Sequence, residues 1–150
     1  MEQEPQDTTK TEGKPLGKKI GLPLIVWGTA NAVAGIFFFL VPMDILKGIL
    51  IQALFWGAID AIIGLAAYLG KKETPLEKVM KSLKVNGVLD IGYMVIGVVL
   101  MAVTPVLDLP QGDITANYVI GSGIGIIIQG AFLLLADIHH IHIVKEMMQA

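Results

Sequence analysis

From Ile20 to Met43 the chain carries no charged residue, and similar apolar stretches return three more times. Residues 48–70 hold one charge, Asp60; residues 85–107 hold Asp90; residues 114–138 hold Asp137. Each window reaches the roughly 20 residues that a helix needs to cross a ~30 Å hydrocarbon core. A membrane strand would need only about 10 residues and would alternate in polarity, which none of these windows does. The pattern predicts transmembrane helices at about 20–41, 47–69, 83–104 and 115–138, the last continuing to 142. The expected fold is all-α, an antiparallel four-helix transmembrane bundle formed by residues 20–150. A central Asp costs about 2.5–3.5 kcal/mol to insert. The Ile, Leu and Phe residues around Asp60 return roughly −3 to −6 kcal/mol, so that helix inserts with a reduced margin, and Asp90 is in similar company.

The segments between the windows read differently. Residues 1–19 mix Glu, Asp and Lys with Gln, Thr, Pro and Gly and repeat nothing apolar, which predicts a disordered tail. This is no signal peptide, because it is partly acidic and the apolar run behind it is too long. Pro42-Met43-Asp44 ends the first helix and leads almost directly into the second. Thr74-Pro75-Leu76-Glu77 has the form of a helix start, with Thr74 capping, Pro75 in the first helical position and Glu77 completing a capping box. Either the third helix begins there, in the headgroup region, or a short surface helix precedes it. Thr104-Pro105 to Gly112-Asp113 is a turn-rich loop.

Composition strengthens the membrane assignment. The 150 residues are 54% hydrophobic and 16% charged, against about 25% charged in soluble domains, and mean hydropathy is +0.69. The absence of Cys excludes disulfides, thiolate metal sites and cysteine nucleophiles. With a net charge of −2 and no Arg, the chain offers no basic surface for nucleic acid. Lysines set the orientation. If four helices alternate, Lys10, Lys14, Lys18, Lys19, Lys71, Lys72, Lys78, Lys81, Lys84 and Lys145 share one side, and only Lys47 of the 11 basic residues faces the other. The positive-inside rule then puts both termini in the cytoplasm of a multi-pass protein of the cell (inner) membrane.

The polar residues within the windows are the candidate chemistry. Trp27-Gly28-Thr29-Ala30-Asn31 followed by Gly35, and Trp56-Gly57-Ala58-Ile59-Asp60 followed by Gly64, share one pattern. Residues three and four apart share a helix face, so Gly28, Asn31 and Gly35 form one stripe and Gly57, Asp60 and Gly64 another. Asn86, Asp90, Tyr93 and Gly97 make a comparable stripe on the third helix, and Gly121, Gly125 and Gln129 on the fourth. Small residues admit close helix approach, with polar side chains bonding across the contact. Counting about 1.5 Å per residue places Asn31, Asp60 and Gln129 roughly 13–16 Å deep and Asp90 about 10 Å deep. One buried cluster of Asn31, Asp60, Asn86, Asp90, Tyr93 and Gln129 is therefore expected. It serves either as hydrogen-bonded glue, a protonated Asp donating to Asn or Gln, or as a proton, ion or polar-solute site. Trp27 and Trp56 are too deep for interfacial anchors and should pack inside the bundle; Tyr68 and Tyr118 fall near helix ends.

At the far end, Asp137, His139, His140 and His142 precede Lys145 and Glu146. On a helix Asp137 meets His140, while His139, His142 and Glu146 form a second stripe. Such groups can ligate a divalent metal, but an interfacial polar helix end is the favoured reading, histidine being stabilised there by the dipole. No metal site is expected. No His-Glu-x-x-His, phosphate-binding glycine loop or Ser–His–Asp set is present, so neither an enzyme nor a cofactor is predicted. Expected partners are the lipid bilayer and either further copies of the chain or another membrane protein. The leading expectation is a structural or assembly role for the polar core. The alternative is a small oligomeric transporter or channel-like protein using Asp60 and Asp90.

These motifs also carry a resemblance. Asn86-Gly87-Val88-Leu89-Asp90-Ile91-Gly92-Tyr93 with Gly97, then Gly123, Gly125 and Gln129-Gly130-Ala131-Phe132-Leu133-Leu134-Leu135-Ala136-Asp137, resemble an uncharacterised family of small prokaryotic four-helix membrane proteins. The stretch from Trp56 to Asp60 is similar to that family's second helix, where Asn is commoner than Asp. The resemblance covers about residues 25–142 and implies the architecture, with no activity attached. The first and second helices, and the third and fourth, also pair as the halves of a parallel repeat would.

Overall fold

The computed structural model describes residues 13–70, 74–107, 109 and 114–149. Four helices account for nearly all of them: α1 (Gly13–Ile36), α2 (Asp44–Leu69), α3 (Leu76–Val103) and α4 (Ala116–Gln149). Short 3-10 turns, Phe37–Phe39 and Thr104–Val106, extend α1 and α3. Each helix is long and apolar enough to cross a bilayer. The fold is the expected all-α bundle, and among the described residues there is no strand.

Two boundaries differ from expectation. The expected tail of residues 1–19 ends sooner, because α1 already begins at Gly13; residues 1–12 lie outside those described. The reason is tertiary. Leu16, 1% exposed, packs with Met80, Leu83 and Val144 in a small apolar core where α1, α3 and α4 meet. α3 is one continuous helix from Leu76, so no separate surface helix precedes it. Its N-cap is Pro75, with no side-chain capping bond, and the anticipated capping box does not form. The extended Pro75 backbone, ψ 138°, starts the helix one residue later than a Thr74 cap requires.

Glycine decides which helices touch. Successive helices are antiparallel: Gly21 opposes Gly64, Gly28 opposes Gly57 and Gly35 opposes Leu54 between α1 and α2, while Gly97 opposes Gly123 between α3 and α4. A Cβ at Gly28 would lie 2.6 Å from the Gly57 carbonyl oxygen, and one at Gly64 would lie 2.8 Å from that of Gly21. Backbones this close leave no room for any side chain. α2 and α4, in contrast, run parallel. Gly48 sits against Tyr118, Gly121 and Ser122, and Gln52 against Gly125, with one constant register. Two antiparallel hairpins are thus joined through a central parallel pair, the arrangement of a parallel repeat. At the N-terminal ends of that pair, Thr115 Oγ1 donates to Asp44 Oδ2 at 2.8 Å and accepts the Tyr118 N–H at 3.2 Å. One hydroxyl therefore caps α4 and ties it to α2.

Candidate functional site

The buried polar residues divide into two groups. The first is a closed ring between α1 and α4. Trp27 Nε1 donates to Gln129 Oε1 at 2.7 Å, Gln129 Nε2 donates to Asn31 Oδ1 at 2.8 Å, and Asn31 Nδ2 donates to the Trp27 carbonyl at 2.9 Å. Gln129 is 3% exposed, and both ends of its amide are bonded. The Trp27 ring also stacks on Phe132, with centroids 4.0 Å apart and planes 7° from parallel. Trp27 and Asn31 are one turn apart on α1, and Gln129 and Phe132 one turn apart on α4. Four side chains from two helices therefore close on one another. This network is fully paired, the condition under which buried polar groups rigidify a core.

The second group consists of carboxyls. Asp60 on α2 and Asp90 on α3 are 3% and 4% exposed. Asp137 on α4 is half-buried. In each, Oδ2 is buried and has no hydrogen-bond partner. Asp90 lies within electrostatic reach of both Asp60 and Asp137. A Cβ at Gly130 would lie 3.0 Å from the Asp90 carbonyl oxygen, so Asp90 stands level with Gln129. The rings of Trp56 and Tyr93 meet edge to face, with centroids 4.9 Å apart. They stand one turn from Asp60 and Asp90 respectively. Because α2 and α3 run in opposite directions, both displacements point toward the same end of the bundle. Asp137 is displaced toward the other end, where Leu16, Met80, Leu83 and Val144 close the helices together.

The single cluster expected from sequence is thus replaced by two. Asn31 and Gln129 bond to each other and to Trp27 rather than to Asp60 or Asp90. Tyr93 joins Trp56 beside the carboxyls. Asn86 belongs to neither group, because its side chain is exposed. The inward face of α3 runs through Met80, Leu83, Asp90 and Gly97, and a residue one position away from Gly87 is turned by about 100°. The packing glycines Gly28, Gly35, Gly57, Gly64, Gly121 and Gly125 all lie at helix contacts.

The histidine end also differs from expectation. Asp137 does not bond His140; its Oδ2 is without a partner, and His140 Nε2 lies 3.3 Å from the Lys19 carbonyl oxygen. Pro23 supplies the reason. It stands inside α1 and has no N–H, so the carbonyl four residues earlier loses its helical donor. That carbonyl belongs to Lys19, and His140, 3% exposed, donates to it instead. Since a carbonyl only accepts, this bond forms in the state that carries a proton on Nε2. Among the described residues, no three His, Asp or Glu side chains gather as metal ligands. By spacing alone Asp137 groups with the histidines of this end. The signal that unites it with Asp60 and Asp90 is its place as the lone charge of its window.

Residues 23–138 match the model of a family of unknown function, DUF6992, and the chain belongs to that family. No curated protein and no solved structure matches the chain.

Proposed function

We propose that the chain is a multi-pass inner-membrane protein with both termini cytoplasmic, and that Asp60, Asp90 and Asp137 form the proton-exchanging site of a small oligomeric transporter or channel-like protein. The observation that supports this is the set of three buried carboxyl oxygens without partners. Carboxyls acting as glue would occupy the amides of Asn31 and Gln129, and those amides are already paired. Leaving a buried acceptor unpaired costs about 1–3 kcal/mol, a cost that a site for an incoming proton explains. Charge in the membrane interior is expensive and favours shared protons among neighbouring carboxyls.

Depth supports a route as well as a site. At 1.5 Å per residue, a ~30 Å core measured from Ala116 ends close to Asp137. Measured likewise on their own helices, Asp60 and Asp90 lie roughly 6–10 Å further in. Asp137 is then the step between the inner carboxyl pair and the cytoplasmic surface. No catalytic step or cofactor belongs to this proposal. The Trp27–Gln129–Asn31 ring favours a structural role for the remaining polar residues, holding α1 on α4 while the carboxyls change protonation.

The test is proton-coupled flux in proteoliposomes, followed by internal pH across a panel of small solutes. Wild type should move protons, and folded Asp60→Asn and Asp90→Asn variants should not, because an amide does not exchange the carboxyl proton. Flux that survives both substitutions refutes the assignment. Orientation is tested by reporter fusions: cytoplasmic after Glu73 and at the C-terminus, external after Asp108.

A further inference from the structure

Away from the carboxyls, the outer face of α3 carries a groove of about 570 Å³, closed on one side by Met148 of α4. Its walls are Val85, Val88 and Leu89, its mouth holds Lys81 and Lys84, and Glu77 lies one turn beyond. Val88 is 70% exposed, and Val85 and Leu89 about half exposed. We infer that this groove binds a monoanionic phospholipid, its phosphate between Lys81 and Lys84 and an acyl chain along Val85, Val88 and Leu89.

Three features converge on that occupant. The apolar wall starts where the lysines end, on the same face and one turn further along α3, as a headgroup is followed by its chain. Helical side chains tilt toward the N-terminus, so both lysines lean away from the hydrocarbon and present their ammonium groups at headgroup level. Glu77 against Lys81 and Lys84 leaves a net charge of about +1 at the mouth, which complements a headgroup of one negative charge. The inference rests on the four helices spanning a membrane, and on neither the orientation nor the proton site.

The test uses the full chain in bilayer nanodiscs containing phosphatidylglycerol and phosphatidylcholine, with retained lipid read by native mass spectrometry. Wild type should retain phosphatidylglycerol preferentially. One lysine near an anionic surface contributes about 1 kcal/mol, or roughly fivefold, so Lys81→Gln/Lys84→Gln should lower the preference by more than tenfold. Val88→Trp, which fills the groove and leaves the lysines intact, should also reduce retention. Lys78→Gln/Lys145→Gln, outside the groove, should lower the preference much less than the groove pair does. Equal retention of the two lipids by wild type overturns the inference, as does equal loss in the Lys78/Lys145 control, which would indicate diffuse attraction. A self-association that Val88→Trp abolishes, without any lipid preference, would place a second copy in the groove instead. Failure of the chain to remain in membranes after alkaline carbonate extraction would remove the spanning premise itself, a result distinguishable from insertion without lipid preference.

Discussion

The Trp27–Gln129–Asn31 ring and the Asp60–Asp90–Asp137 group stand at overlapping depths in one small bundle, yet they have opposite bonding states. In the ring, each member donates once and accepts once. In the carboxyl group, each member keeps a buried oxygen with nothing to bond. The chemistry of the side chains explains part of this contrast. An amide carries both donors and acceptors, so Asn and Gln can complete each other; ionised carboxyls are acceptors only and cannot. The rest is placement, because the amides face α1–α4 contacts and the carboxyls come from α2, α3 and α4. Polar residues of similar depth therefore do not form one hydrogen-bonded unit, and the unpaired oxygens are those of the carboxyls.

Substitutions in the two groups should separate them. The largest effect is expected for Gln129→Leu, which leaves both Trp27 Nε1 and Asn31 Oδ1 without partners. At about 1–3 kcal/mol for each stranded group, the bundle should lose roughly 2–6 kcal/mol, measured by denaturant unfolding in bicelles. His140→Ala comes next, at about 1 kcal/mol, because it strands the Lys19 carbonyl. In a Pro23→Ala background the restored helical N–H satisfies that carbonyl, and the same substitution should cost measurably less. Equal costs in the two backgrounds would show that Pro23 is not the reason for the histidine contact.

Asp90→Leu should be milder, within about 1 kcal/mol, since exchanging a buried unpaired polar group for an apolar one of similar size is often neutral or stabilising. It strands no partner, because Asn31 and Gln129 are occupied with each other. If Asp90→Leu proved as damaging as Gln129→Leu, the division into a paired and an unpaired group would break down. The smallest effect belongs to Asn86→Ala, under about 0.5 kcal/mol, as expected for a surface position. A loss above 1 kcal/mol would mean that Asn86 has a partner within the membrane.

The sequence by itself determined that four helices form, because four nearly uncharged windows of sufficient length have no other stable form in lipid. It also determined the contact faces of α1, α2 and α4, since glycine at four- and seven-residue spacing marks a close approach whatever its partner. It could not orient Asn86. A helix that is apolar all round has no hydrophobic periodicity to show which side faces inward, and spacing alone puts Asn86 and Asp90 on one stripe. The tertiary structure alone decided three matters: that α1 starts early so that Leu16 reaches Val144, that His140 serves a carbonyl freed by Pro23, and that Gln129 takes Asn31 and leaves Asp60 and Asp90 alone. The physical reason is common to all three. What a side chain meets depends on the register of the neighbouring helix, and that register is set by backbone contacts at distant glycines, not by the residues that end up touching.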